Sequence, residues 1–293
     1  MLIDASIWIF RAHFSLPDDL VDDRGRPAAA LSGWAGFLLD ELAARPAALG
    51  VAFDESLESG FRHRLFPAYK AARSLPDEAL ARQLDACRRL AEGLGLCCAA
   101  SSEFEADDLI AAAATRARAA GRIVEIVSRD KDLLQLLVDP RDCMRDAAGG
   151  RRFDRDAATL RFGVAPERIA DLQALAGDPV DGIPGIRGVG ARTAACLLQR
   201  HGDLEGLFDA LDADAAGALA GLRGARRLAG LLAGARAEAL CFRELTRAHA
   251  VVDVAFEPHL APAPVPTREQ ARVALADVGL GGRFGRRVAL LGA

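Results

Sequence analysis

The chain holds a single tyrosine, Tyr69, and only two lysines, Lys70 and Lys131; every other side chain in its Lys+Arg total of 37 is arginine. Its six cysteines include no Cys-x-x-Cys pair, and the adjacent Cys97 and Cys98 cannot readily bridge each other. That argues against both a zinc site and a disulfide framework, and reads as reduced, mostly buried thiols in the cytoplasm. No stretch reaches the ~18 uncharged apolar residues that a membrane span needs. The opening "MLIDASIWIF" has no basic flank and carries an aspartate among its apolar residues, so it makes a poor signal peptide. No P-loop and no serine–histidine pairing appear, and the five histidines are scattered. A formal charge of −4 argues against a protein that simply coats DNA. The expectation is a soluble cytoplasmic monomer with no membrane association.

What is present is length, alanine and a pattern. At 293 residues the chain is too long for one small core, and its 51% apolar and 27% charged content is that of a globular protein. The alanine bias favours helix. Short apolar runs at "MLID", "AALGVAFD" (47–54), "GLCCAAS" (95–101) and "RIVEIVS" (122–128) read as strands, with a possible short fifth at "DCMRD" (142–146). Helical patterns over 31–44, 76–95 and 105–121 separate them, which implies right-handed crossovers and a mostly parallel sheet with helices on both faces. From about Phe153 the strand signal fades and helix dominates, interrupted by a proline-rich tether at 257–266. The expected organisation is an α/β domain over 1–152, with a basic arch at about 55–76, followed by a helical domain over 153–293.

The carboxylates of the first half are not spread evenly. Asp4 ends the first strand and Asp54 the second. Glu105, Asp107 and Asp108 open the helix after the third, and Asp130 and Asp132 follow the fourth. In a parallel sheet these strand ends share one edge, the usual place for a site. A single aspartate after a strand is ordinarily a turn former or helix cap. Seven such groups crowded on one edge would repel, and they stay ionised only beside cations. All-oxygen clusters suit Mg²⁺ or Mn²⁺, not zinc, and two or more such ions are the machinery of phosphodiester hydrolysis. Asp178 and Asp181, in "GDPVDGIPG", are further candidates. Discounting these acids leaves the rest of the chain net positive, as a surface facing a phosphate backbone would be.

Two stretches supply cations. After Asp54 come Arg62, His63, Arg64, Tyr69, Lys70 and Arg73. Read alone this is a solvated charged loop; beside the acidic edge it reads as an arch that grips the scissile phosphate while Tyr69 stacks on a base. Lysine is a compact point charge that can approach one phosphate oxygen, whereas the arginine fork prefers a broader bidentate grip. Lys131, between two candidate metal ligands, either serves similarly or balances their charge. In "PGIRGVGARTA", Gly185, Gly188 and Gly190 precede a helix and Arg187 and Arg192 add charge. Such a turn exposes backbone N–H groups suited to phosphate, and no preceding strand supports a dinucleotide fold.

The order "LIDAS", "VAFDES…FRH…YKAAR", "EFEADDL", "VSRDKDLLQLL", "LAGDPVDGIPGIRGVGARTAACLL" resembles the 5′-nuclease family, which includes the 5′→3′ exonuclease domain of bacterial DNA polymerase I, phage 5′ nucleases and flap endonucleases. The likeness runs from residue 2 to about 250, and no polymerase sequence follows, as in a stand-alone bacterial member. It implies metal-dependent DNA cleavage near 5′ ends and flap junctions. By motif position it implies metal ligation by Asp4, Asp54, Glu105, Asp107, Asp108, Asp130, Asp132, Asp178 and Asp181. It places Arg11 near the site and Arg62, Tyr69, Lys70 and Arg73 on the helical arch. Residues 183–200, Thr193 included, match the helix–two-turn–helix that grips duplex DNA, with K⁺ as an implied ion. Three features depart from the family pattern: Arg129 where a small residue is usual, Pro179 and Val180 within the "GDPVD" turn, and Gly182 in place of asparagine. Arg129 is expected to crowd the metal site. The competing readings are an RNase on a related acidic scaffold, against which the long basic arch and helical half argue, and a non-catalytic junction-binding protein, from which carboxylates should have been lost.

Overall fold

The computed structural model describes residues 1–56, 59–146, 150–250 and 252–291. Residues 57 and 58 of the expected arch therefore lie outside the described residues. Six strands form one sheet: β1 (Leu2–Asp4), β2 (Gly50–Asp54), β3 (Cys97–Ser101), β4 (Glu125–Val127), β5 (Cys143–Asp146) and β6 (Arg151–Phe153), in the order β3-β2-β1-β4-β5-β6. The first five pair in parallel, with Ile3 opposite both Val51 and Val127 and Asp54 opposite Ser101. The fold class is thus the expected mostly parallel α/β sheet followed by a helical half. Strand order reverses at β1, between β2 and β4, and a crevice opens at the carboxyl ends there.

Alternation along each strand sorts the core into two layers. Leu2, Ala52, Ile126 and Met144 face one side, where the helix Ala106–Ala119 lies close because Ala111, Ala112, Ala113 and Ala114 are all fully buried. Ile3, Val51, Phe53 and Val127 face the other, against the helices Ala29–Ala43 and Glu78–Gly93.

The strand β6 was not expected. It pairs antiparallel with β5, placing Phe153 opposite Met144 and Arg151 opposite Asp146. Three residues, two of them exposed arginines, carry almost no periodic signal, and a short charged strand is how a sheet edge is protected from pairing with another chain.

The tail also differs from expectation. Ala271, Ala274, Leu275, Val278, Leu280, Val288 and Leu291 belong to the apolar cluster of Trp34, Leu38 and Leu90. The tether therefore returns the last helices to the α/β half, because the outer faces of the helices Ala29–Ala43 and Glu78–Gly93 are themselves apolar and need covering.

Candidate active site

Asp4 is the last residue of β1 and occupies the N-cap of the helix Ala5–Ser15, so the chain leaves the sheet at the switch point with its carboxylate at the edge. Asp54 ends β2, Asp107 lies in the first turn of the helix Ala106–Ala119, and Asp130 follows β4. The four line one cleft of about 200 Å³, together with Lys70, Arg73 and Glu105. Ser128 Oγ donates to Asp4 Oδ2 at 2.8 Å and accepts from the Asp130 amide at 3.0 Å, which fixes two of the carboxylates relative to each other.

The electrostatics are those of a site short of cations. Burial, with Asp130 and Asp54 adding repulsion, pushes the Asp4 carboxyl up to about 7. Burial and then the Asp130 and Asp4 charges push Asp107 well above the ordinary range, and burial followed by Glu105 raises Asp54. Glu105 goes the other way. Burial opposes its ionisation, but Lys70 and Arg62 overcome that and hold it below the usual range. Asp4 therefore stabilises the fold when protonated, and that contribution is lost as pH rises from about 4 through about 7. Asp4→Asn should raise the melting temperature of the divalent-free protein by several °C above pH 7, with the gain shrinking toward pH 4. Thermal unfolding in EDTA at both pH values measures it, and an equal gain at both would show that repulsion is not the cause.

A second group lies alongside. Lys131 contacts Asp178 and, at 3.3 Å, Asp132. Gln173 Nε2 donates to both carboxylates, and the Asp132 amide donates to Asp130 Oδ1 at 2.9 Å, linking the two groups. Burial, followed by repulsion from Asp130, pushes Asp132 up to about 6. Asp181 accepts from Arg73 at 2.7 Å and lies 3.9 Å from Lys70 Nζ. Gln173 carried no signal in the sequence, because it reads as one polar residue in a helix.

Both scarce lysines thus sit among carboxylates. Lys70 Nζ donates to both Glu105 oxygens at 2.9 Å. Its backbone is left-handed (φ 51), a strained state for a non-glycine residue. The surroundings impose it: the Lys70 amide donates to the Asp181 carbonyl at 2.9 Å and its carbonyl accepts from the Arg73 amide at 2.9 Å. Gly182, the departure from asparagine, is also left-handed (φ 72), and an added Cβ would lie 2.9 Å from the Ala68 carbonyl. The glycine lets this turn and the Lys70 turn touch. At Gly185 (φ 64) a Cβ would meet the Gly177 amide at 2.2 Å, so the double turn before the helix Ala191–His201 closes only with glycine. Arg187 and Arg192 are exposed on it, beside Gly188 and Gly190, and Thr193 is half-buried.

Seven assignments read from the sequence are corrected. Tyr69, expected to stack on a base, is 2% exposed and its hydroxyl donates to Glu105 Oε2 at 3.0 Å. Arg62, expected on the arch surface, is 4% exposed and gives a fork of 2.6 and 2.8 Å to Asp108, while also donating to the Leu245 and Arg247 carbonyls. Asp108, expected as a metal ligand, is fully buried and already accepts from Arg62, the Glu105 amide and the His249 amide, leaving no face toward the cleft. The arch itself is the short helix Phe61–Leu65 followed by turns packed down on the site, because these buried polar contacts tie it there. Arg11, expected near the site, lines a neighbouring cavity and not the carboxylate cleft. Lys131, expected to contact DNA, is occupied by Asp132 and Asp178. Arg129, expected to crowd the site, turns to Asp146 at 3.2 Å.

The donor set fits a hard divalent cation: four carboxylates on one cleft, three of them raised by burial and by one another's charge. Among the described residues no three such groups converge closely enough to enclose an ion by themselves. They line a wall instead, which suits ions that keep part of their water.

Comparison with known proteins agrees with this arrangement. Residues 1–163 match the model of the 5'-3' exonuclease N-terminal resolvase-like domain, and residues 164–269 that of the 5'-3' exonuclease C-terminal SAM fold. The chain is 41% identical over 216 residues to DNA polymerase I of Rhizobium leguminosarum, covering 71% of this chain and 21% of the polymerase. It is 37% identical over 242 residues to a 5'-3' exonuclease of Mycobacterium tuberculosis, covering 72% of this chain and 73% of that protein. The chain thus spans about a fifth to a quarter of the polymerases it matches. Its fold matches phage T5 5'-exonuclease with divalent metal ions (zinc) bound, at TM-score 0.64 and 19% identity over 99% of this chain and 95% of the other. It also matches the catalytic core of Rad2 in complex with DNA substrate, at TM-score 0.61 and 14% identity over 99% and 90%. Two consecutive domain models, covering the chain up to residue 269 with the carboxylate cleft in the first, establish that this chain belongs to the 5'-3' exonuclease family.

Proposed function

We propose that the chain is a structure-specific DNA 5′ nuclease that hydrolyses phosphodiester bonds near 5′ ends and at flap junctions with two or more Mg²⁺ or Mn²⁺ ions. The observation that carries this reading is the meeting of Asp4, Asp54, Asp107 and Asp130, from four separate segments, around Lys70 and Glu105 in one cleft. The T5 5'-exonuclease of the same fold binds divalent metal ions, and Rad2 binds a DNA substrate. When bound, such ions supply activation of the attacking water and neutralisation of charge on the leaving oxygen. Asp4, Asp54, Asp107 and Asp130 would hold them, with Asp132, Asp178 and Asp181 alongside.

Lys70 presents an ammonium to the scissile phosphate from the arch side. Glu105 aims it in the free protein, and Arg73 stands beside it across Asp181. Exposed Arg187 and Arg192 and the backbone of the glycine turn take the duplex backbone. Six free thiols suit a reducing cytoplasm. Among the described residues no helix is long and apolar enough to cross a membrane.

Digestion of a 5′-flap DNA, the equivalent RNA and a blunt DNA duplex, each with Mg²⁺ and with EDTA, tests the reading. Cleavage of the flap DNA near its junction, in Mg²⁺ only, is expected; preference for the RNA would favour the RNase reading, and no cleavage of any substrate would sink both. Within this reading, Lys70→Ala should slow single-turnover cleavage roughly 10²-fold while flap binding in Ca²⁺ falls much less, since the charge it offsets grows in the transition state. Lys70→Arg should recover only part of the rate. Lysine, alanine and arginine share the same left-handed penalty, so the comparison isolates the charged head. Full rate with arginine, or equal losses of rate and binding with alanine, would reduce Lys70 to a general attractor of DNA.

A further inference from the structure

We propose that the Lys131 ammonium is the resident counter-ion of the Asp132–Asp178 pair and competes for it with a divalent cation. The two carboxylate groups then load ions in order: the cleft of Asp4, Asp54, Asp107 and Asp130 first, the pair only once Lys131 has left it. The inference deepens the metal-dependent reading above and rests on it for the identity of the ion.

The two groups are built differently. Among the described residues no ion pair reaches Asp4, Asp54, Asp107 or Asp130, and the two cations that line their cleft, Lys70 and Arg73, are held by Glu105 and Asp181. The pair is closed from within. Lys131 Nζ contacts Asp178 Oδ2 and lies 3.3 Å from Asp132 Oδ1. Gln173 Nε2 donates to the same two oxygens, at 3.2 Å to Asp178. The Val180 amide donates to the other Asp178 oxygen at 3.0 Å, so both oxygens of this buried acid already accept. An ion bridging the two acids would need the place that the ammonium holds. Gln173 is itself buried, and its Oε1 meets no donor among the described residues, so the two acids set the direction of the amide.

Charge and tethering explain both the occupancy and the exchange. One ammonium against two carboxylates leaves one negative charge, and a divalent ion leaves none. The ammonium is nevertheless attached to the site, so a free ion has to overcome its effective concentration. The Lys131 side chain is 35% exposed, against 13% for Lys70, and its four-carbon stem can swing outward. An arginine fork would grip a carboxylate through two bonds and release it less readily, a physical reason for lysine here in a chain that otherwise uses arginine. Lys131 directly follows Asp130, whose Oδ1 accepts from the Asp132 amide at 2.9 Å, so a released ammonium stays beside the cleft.

Mn²⁺ binding to the full chain without DNA, counted by electron paramagnetic resonance and calorimetry, tests the exchange. Lys131→Met should tighten the weakest-bound ion about 10-fold, the factor for a pair that is free of Lys131 about a tenth of the time, and leave the cleft ions alone. Adding Asp132→Asn should remove that ion. In EDTA, Lys131→Met should melt below the wild type, and saturating Mn²⁺ should close the gap. The wild type offers a measurement that needs no pair variant. Two lysines give two side-chain signals in ¹³C-lysine-labelled protein, and the one that survives Lys70→Ala should shift in the weaker phase of a Mg²⁺ titration. Unchanged affinities in Lys131→Met, an equal tightening of every ion, or a Lys131 signal unmoved at Mg²⁺ saturation would overturn the proposal. A wild type that binds ions and cleaves no flap DNA would sink the nuclease reading alone. A wild type that binds no ion, with Lys131→Met binding one, would keep the exchange and remove the cleft as a metal site; no binding by either protein would sink both.

Discussion

Asp107→Asn is expected to lower Mg²⁺-dependent flap cleavage by roughly 10³-fold or more, the scale of deleting one member of a site that acts as a unit. The substitution keeps shape and removes one charge. Asp107 sits on the first turn of a helix anchored by buried Leu109, Ile110 and packed alanines, so the backbone has no reason to move. Burial and the neighbouring Asp130 and Asp4 charges already disfavour its ionised form, so the amide should fold at least as well as the acid. Lost rate with an unchanged or raised melting temperature is the expected signature. Near-wild-type cleavage by Asp107→Asn would mean the cleft is not where the chemistry occurs.

Arg62→Ala should destabilise the protein by about 3–5 kcal/mol, the cost of leaving a buried carboxylate without its partner. Asp108 has no exposure to water, and among the described residues Arg62 is its only cationic partner. The same guanidinium donates to the carbonyls of Leu245 and Arg247, at the end of the helix Arg236–Thr246, so one residue joins the arch, the α/β half and the helical half. Adding Asp108→Asn should recover part of the loss by removing the buried charge, though only one of the Glu105 and His249 amides keeps an acceptor, since they bond to different oxygens of Asp108. Denaturant unfolding of the single and double variants measures this. A loss under about 1 kcal/mol for Arg62→Ala, or no recovery in the double variant, would show that the pair does not couple the halves.

Much of the carboxylate layout was readable because parallel strands order their own ends. Once "MLID", "GVAFD" and "IVS" are strands, Asp4, Asp54 and Asp130 must fall on one edge. Lysine scarcity was informative for a related reason: a compact cation is retained where carboxylates crowd, and Lys70 and Lys131 both lie there. Gly182 and Gly185 were visible as turn glycines, though the Ala68 carbonyl and Gly177 amide that exclude a side chain at each were not.

What the sequence determined by itself was local: the period-two alternation of the strands, the helical stretches, and the residue types at each strand end. What the tertiary structure alone decided was which of these groups face inward. Arg62, Tyr69 and Asp108 lie in the same polar strings as Lys70, Arg73 and Asp107, and no periodicity separates them. Arg62 and Asp108 are inside because each satisfies the other, and Tyr69 because Glu105 takes its hydroxyl. Arg11 lines a neighbouring cavity and not the cleft that its motif suggested. The tail from Thr267 covers the α/β half because two helices distant in sequence leave apolar faces open. Burial of a polar group is settled by its partner, and partners 46 residues apart, as with Arg62 and Asp108, meet only in the folded chain.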